Sequence, residues 1–321
     1  MLLLGLFAVL FLGCEMDQEV DIPEHEPRLV LRLALINADT ESHLYRHDMF
    51  TQLFVGQSQG VLEPEEQLAG VTDATVEVFD EMGETVESYT HTGSLVYYNY
   101  ETDYQGYYKP TKGFVPEPGH TYTVRASAPG FEPVEAVTTM PAPATGISFD
   151  FTGGAVPDPY NSGYTNIEGT LQVTFEDKQE EENYYRVWVF AVDSVYARVG
   201  NAAYVLDENN DDIFNSTEKL RYGNVFSDEL YTSGQISISN KIGLSSKEMV
   251  PGDWSYRSTR FIEVVVQQLT RDEYLFHRSK NAQDMNRDNP FAEYVNVHSN
   301  VNNSFGILGG ITISKMYIPV Q

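Results

Sequence analysis

The chain has a single cysteine, Cys14, and no Lys or Arg before Arg28. One cysteine forms no internal disulfide, so the body must be held together by burial and hydrogen bonding. No apolar run approaches the ~20 residues that a transmembrane helix requires. Cations are scarce throughout: 20 Lys and Arg stand against 47 Asp and Glu, a formal charge of -27. A field of that sign repels phosphate backbones and anionic lipid headgroups, which argues against nucleic-acid binding and against polybasic membrane docking. Catalytic patterns are missing as well. There is no H-E-x-x-H, no G-x-S-x-G, no P-loop and no dinucleotide-binding glycine fingerprint. Carboxylates are so numerous that sequence spacing cannot pick out a glycosidase pair, which is defined by its separation in space. A non-catalytic protein without an organic cofactor is the expectation.

What is present begins with the apolar stretch from Leu2 to Leu12, which ends at Gly13-Cys14. It has the length of a signal-peptide core, and residues 1–13 are set apart from the fold on that ground. A small residue before a lone cysteine at this boundary resembles the lipobox of bacterial lipoproteins. The resemblance implies that Cys14 is lipidated and that acyl chains hold the protein on a membrane. Two or more chains give stable anchoring. Residues 14–27 are acidic and carry Pro23 and Pro27. Charge without apolar residues cannot support a packed core, so this stretch reads as a tether. An acidic stretch directly after the lipidated cysteine also resembles the surface-export signal of Bacteroidota lipoproteins.

Beyond the tether, period-two alternation dominates. Arg28 to Ile36 places Leu29, Leu31, Leu33 and Leu35 on one face, and Ala74 to Phe79 repeats the pattern before a turn at Asp80 to Gly83. Further short strands are expected at Thr85–Thr90, Gly106–Lys109, His120–Ala126 and Glu135–Thr139. Short alternating strands divided by turn residues predict an antiparallel sandwich. Gly119, Tyr122 and Val124 resemble the turn-to-strand pattern of immunoglobulin-like and carboxypeptidase-regulatory-like domains. The fold expectation is therefore mainly β: an Ig-like antiparallel β-sandwich over residues 28–141, then a second β-rich domain over 142–321 with at least one short helix. The boundary is the Pro/Ala stretch Met140 to Gly146. In the second half, Gly169–Phe175 is expected to form a hairpin with Tyr184–Val192, and Gln235–Ile238 and Phe261–Leu269 read as strands. Thr270 and Glu273 have the spacing of a capping box opening a helix that runs to about Asn281.

Two constellations could bind something. Counting from Asp207, oxygen ligands fall where a calcium loop needs them: Asp207, Asn209, Asp211, the Ile213 carbonyl, Asn215 and Glu218. Asp212 occupies the position that usually requires glycine. Ca2+ is thus the one cofactor suggested, with a solvated acidic loop as the alternative. The second is a tyrosine cluster, Tyr97, Tyr98, Tyr100, Tyr104, Tyr107 and Tyr108. It reads either as a stacking surface for sugars or a protein partner, or as filling for pleated strands.

Near the C-terminus, Asn289-Pro290-Phe291, then Val297-His298-Ser299-Asn300-Val301, then Phe305-Gly306-Ile307-Leu308-Gly309-Gly310 follow in order. This succession resembles the C-terminal signature of a Bacteroidota lipoprotein family catalogued as domain of unknown function 4249. The resemblance implies an outer-membrane, lipid-anchored protein, at the cell surface or facing the periplasm, that assists a TonB-dependent receptor in uptake. A glycan- or protein-binding adhesin is the alternative, and an envelope hydrolase the third. The glycines themselves permit tight turns or close backbone approach.

Overall fold

The computed structural model describes residues 25–38, 52–60, 69–92, 95–97, 100–102, 105–158, 165–178, 181–206, 224–231, 234–249, 256–286, 293 and 295–320. Among the described residues nine strands precede the Pro/Ala stretch: β1 (Leu29–Ile36), β2 (Leu53–Gln57), β3 (Thr75–Phe79), β4 (Thr85–His91), β5 (Leu95–Tyr97), β6 (Tyr100–Thr102), β7 (Tyr107–Pro110), β8 (Thr121–Ser127) and β9 (Val134–Thr139). After it come β10 (Ser148–Pro157), β11 (Thr165–Glu176), β12 (Tyr184–Val192), β13 (Arg198–Ala202), β14 (Tyr204–Val205), β15 (Val225–Ser227) and β16 (Gln235–Ser245). β17 (Lys247–Met249), β18 (Tyr256–Ser258), β19 (Phe261–Leu269), helix α1 (Arg271–Asn286) and β20 (Phe305–Pro319) complete the order. The protein is mainly β with one described α-helix.

The principal sheet runs β13-β12-β19-β20-β1-β2-β7-β4-β3-β8-β9, with β15 beside β12. The part from β1 to β9 packs against itself. Leu29, Leu31, Leu33 and Leu35 of β1 share one core with Val76 and Val78 of β3, Tyr122 and Val124 of β8, and Val134 and Ala136 of β9. The alternation in β1 therefore sets which face is buried, as period-two patterning dictates. The turn before β8 is pinned by its tyrosine: the Glu117 N–H donates to Tyr122 Oη at 3.0 Å. A second, four-stranded sheet, β10-β11-β16-β14, lies against the other end of the principal sheet. There Leu171, Val173 and Phe175 pack across the layers on Tyr185, Val187 and Val189. The Phe175 and Tyr185 rings meet edge-on with centroids 5.0 Å apart.

This cross-layer packing corrects the expected hairpin. β11 pairs with β10 and β16, whereas β12 pairs with β13, β15 and β19. The alternation told correctly that both strands bury one face. It carries no information about whether two such faces meet edge to edge or face to face.

β20 links the two ends of the structure. Its residues Phe305 to Ile311 run parallel to Val30 to Ile36 of β1, and Ile311 to Pro319 run antiparallel to β19. The Pro/Ala stretch lies along the same strand. Thr312 Oγ1 donates to the Pro141 carbonyl at 2.7 Å and Ser314 Oγ to the Ala144 carbonyl at 2.9 Å. Two glycines permit this traffic. Gly306 sits at φ 125°, and a Cβ there would run into the Leu31 carbonyl; a Cβ on Gly309 would strike the Glu273 carboxylate of α1. The family-like glycine block is thus a seat for β1 and for the helix.

One buried carboxylate organises the first half. Glu87 of β4 is 1% exposed. It accepts from the amides of Ser88 (2.8 Å), Thr111 (3.0 Å) and Lys112 (2.8 Å) on one oxygen, and from Phe114 (2.9 Å) on the other. Burial pushes its carboxyl up, but the four amides outweigh that and hold it below the usual carboxylate value. A depressed folded pKa means that the ionised form stabilises the fold above the ordinary glutamate pKa, and that this contribution is lost as pH falls through the lowered one.

Two tests follow from these contacts. Glu87→Gln should lower stability by about 2–3 kcal/mol at neutral pH, because its NH2 must face an amide N–H. The difference between Gln variant and parent in urea melts should shrink as the pH drops below 4.5; a constant difference would mean the carboxylate is not the anchor described. Gly309→Ala should cost about 1–3 kcal/mol by overpacking against Glu273. An unchanged urea midpoint would show that α1 is not seated on that glycine.

Candidate functional site

A cleft of about 390 Å³ opens where the two halves meet. One wall is the end of β9 (Val137, Thr138, Thr139) with Pro141 and Ala142 of the linker. The facing wall is the loop after β11 (Lys178, Glu181, Glu182, Asn183) with Tyr184, the end of β19 and the first residues of α1. The loop wall is fixed by hydrogen bonds to one side chain. Asn183, 3% exposed, shapes the loop: its Nδ2 donates to the carbonyls of Lys178 (3.0 Å) and Glu181 (2.9 Å). Its N–H donates to Asp228 Oδ2 at 2.8 Å, and its Oδ1 accepts from Gln268 Nε2 at 2.8 Å. A buried amide with this many partners is rigid, since each lost bond exposes an unsatisfied group.

Tyr184 forms the floor near the helix. Its ring stacks on Tyr274 of α1 at 4.7 Å, and its Oη donates to Glu182 Oε2 at 2.7 Å. Burial first, and the Glu182 carboxylate second, push the phenol up to about 12. It therefore stays a protonated donor across the physiological range and holds Glu182 in place.

The helix start departs from the expected capping box. Thr270 Oγ1 does accept from the Glu273 N–H, at 3.4 Å, and it also accepts from the Gly310 N–H at 3.1 Å. Glu273 does not reach back. The Thr270 N–H is already satisfied by the Gly310 carbonyl at 2.9 Å. The Glu273 carboxylate instead turns under the helix, 2.9 Å from His277 Nε2. His277 lies 3.4 Å from Arg186 NH1, whose Nε donates to Gln267 at 2.7 Å. This buried row, with the Arg186 guanidinium 5.3 Å from the Trp188 ring centre, fastens α1 to β12 and β19. The helix also runs five residues past its expected end, to Asn286.

The signature residues His298 and Asn300 have a structural role beside the cleft. His298 Nε2 lies 2.7 Å from Asp272 Oδ1, and Asn300 Nδ2 donates to Asp272 Oδ2 at 3.1 Å. Asn300 also pairs with Leu308 of β20, taking its N–H at 2.8 Å and giving to its carbonyl at 2.9 Å. These residues clip the helix start to β20.

The sites expected from sequence do not converge here. Cys14 and the whole loop Asp207 to Glu218, including Asn209, Asp211, Ile213 and Asn215, lie outside the described residues, as do Tyr98 and Tyr104. Among the described residues no group of three or more His, Cys, Asp or Glu is arranged to hold a metal ion. Tyr97 and Tyr100 are backbone register partners in the β5–β6 pair. Tyr107 and Tyr108 are buried in β7 and so present no stacking surface. Tyr107 Oη accepts from Arg32 NH2 at 2.9 Å, and Tyr108 Oη donates to the Val71 carbonyl at 2.8 Å. The cleft residues escaped sequence reading because they come from three distant segments. Sequence read those segments as a strand, a boundary stretch and a helix start, and nothing in the pattern brought them together.

The wall built on Asn183 is open to test. Asn183→Ala should cost about 2–3 kcal/mol of stability. It should also raise hydrogen exchange at the amides of residues 181 and 183 before any global unfolding; unchanged protection there would refute the role given to this side chain.

No curated protein matches this chain. A family model, described as Domain of unknown function (DUF4249), matches residues 16–316, from just after Cys14 to near the end of β20. The match takes in both sheets, α1 and the glycine-rich seat, and the chain belongs to that family.

Proposed function

We propose that the protein is a lipid-anchored envelope protein, held by acyl chains on Cys14, that captures a ligand as an accessory to a TonB-dependent outer-membrane receptor. The observation that carries the anchoring is the placement of the only cysteine between an apolar run and an acidic, proline-bearing stretch. The start of the described body is consistent with a short leash. His25 Nε2 lies 3.0 Å from Ser58 Oγ, and the Arg28 N–H donates to the same oxygen at 2.9 Å. The 11 residues from Cys14 to His25 span at most about 36–40 Å when extended. The folded body would thus stay within reach of a membrane-embedded partner. The net charge of -27 supports acyl chains rather than surface charge as the means of attachment. The seam cleft supports a capture role, because it is a preformed recess with rigid polar walls.

The test is direct. Cys14→Ser should move the protein from the membrane fraction to the soluble fraction with its urea midpoint unchanged. Affinity purification of the native protein from outer membrane should bring down a β-barrel receptor. Retention of the Ser variant on membranes would sink the anchoring reading; recovery of no barrel would sink the receptor reading and leave the anchor standing.

A further inference from the structure

We infer that the seam cleft binds an extended, cationic polypeptide segment, which adds to the principal sheet as a new strand along β9. β9 ends the described order of that sheet and, among the described residues, has β8 as its only strand neighbour. Which of its backbone groups face outward follows from the turn before β8. Gly119, at φ 84°, donates to the Met140 carbonyl at 2.9 Å, and the Met140 N–H donates to the His120 carbonyl at 2.9 Å. This is the bonding of a bulge with glycine at its first position. It makes His120 and Met140 a hydrogen-bonded pair. Alternation along an antiparallel ladder then turns Thr138, Ala136 and Val134 toward β8, and Thr139, Val137 and Glu135 outward.

The structure agrees with that phase. The Glu135 carbonyl accepts from the Asn302 N–H at 2.9 Å, from the side away from β8. There the loop before β20 already closes the edge. Further along, at Val137 and Thr139, no main-chain group has a partner on the open side among the described residues, and both residues line the cleft. The usual protections of an exposed edge are absent: β9 reads VEAVTT, without Pro, Lys or Gly. Val137 is 48% exposed, and Glu135, the one charge in the strand, is held by Arg125 on β8 at 2.6 Å. Unpaired edge amides beside a β-branched side chain are the chemistry that recognises an extended backbone.

The occupant's charge follows from the field. Among the cleft's charged residues, Glu181, Glu182 and Asp272 outnumber Lys178 and Arg271, in a chain whose net charge is -27. Lys or Arg in the incoming strand would be drawn there, and an acidic segment repelled. A second copy is the wrong occupant, because two such chains repel each other and each edge lies within a recess. This inference needs neither the lipid anchor nor the receptor.

The experiment selects a phage-displayed library of random linear peptides on the full-length lipoprotein in detergent. Enriched peptides should carry Lys or Arg among β-branched residues. When bound, they should slow hydrogen exchange at the Val137 and Thr139 amides. Val137→Pro removes an outward donor while leaving the β8 ladder intact, so it should fold normally and weaken binding at least about tenfold. If that variant misfolds, the selected peptide N-methylated at alternate amides reads the same contact from the ligand side: one of the two methylation phases should abolish binding. Absence of enrichment, protection elsewhere, or binding indifferent both to Val137→Pro and to either methylation phase would overturn the inference. None of those results would touch the Cys14 anchor.

Discussion

The structure depends on one strand serving two neighbours. β20 is parallel to β1 over its first half and antiparallel to β19 over its second, so the two packed regions share a single hydrogen-bonded backbone. Everything near the cleft is registered against it. The linker is hydrogen-bonded to Thr312 and Ser314, the helix cap to Gly310, and the loop at 298–300 to Leu308. Buried ladder bonds are costly to leave unmade, so a shift of β20 by one residue would break all of these contacts together. Its glycines are required because β1 and α1 approach where a side chain would otherwise stand.

The polar interior follows from the same arrangement. Seating α1 on the sheet buries Arg186, Gln267, Glu273 and His277 with the apolar residues. A buried guanidinium is tolerated only with partners, and here it has Gln267 and His277, with Glu273 beyond. The row fixes the helix in rotation as well as position. The helix start is thereby set beside the cleft, where Asp272 meets His298 and Asn300. Asn183 does the same for the facing wall, so both sides of the recess are preformed.

Much of the fold was legible because period-two patterning reports burial directly. β1, β3, β8, β9 and β19 could be read from alternation or from apolar runs, and Thr270 marked the start of α1. Partner choice was not legible. The alternation in β11 and β12 is the same whether they pair or stack, and only the packed structure shows that they stack. β10, SFDFTGGAVP, gave little signal because no residue in it is fully buried and two glycines interrupt it. Glu273 sat at the right spacing for a cap, but the pattern could not foresee that a histidine one turn on would take its carboxylate. The cleft was the least legible feature. It joins a strand edge, a loop and a helix start separated by long stretches of chain, and the phase of its free amides rests on a bulge at Gly119.

The parallel pairing of β1 with β20 also has a temporal side. Ser304 Oγ bonds the Leu29 carbonyl across 275 positions of sequence. A chain made from its N-terminus therefore presents β1, LVLRLALI, some 275 residues before the segment that pairs along one of its flanks. Contacts of such long range slow folding, and an unpaired apolar edge invites the wrong neighbour in the interval. The same pairing that unites the two packed regions therefore leaves β1 with an open flank until β20 has been made.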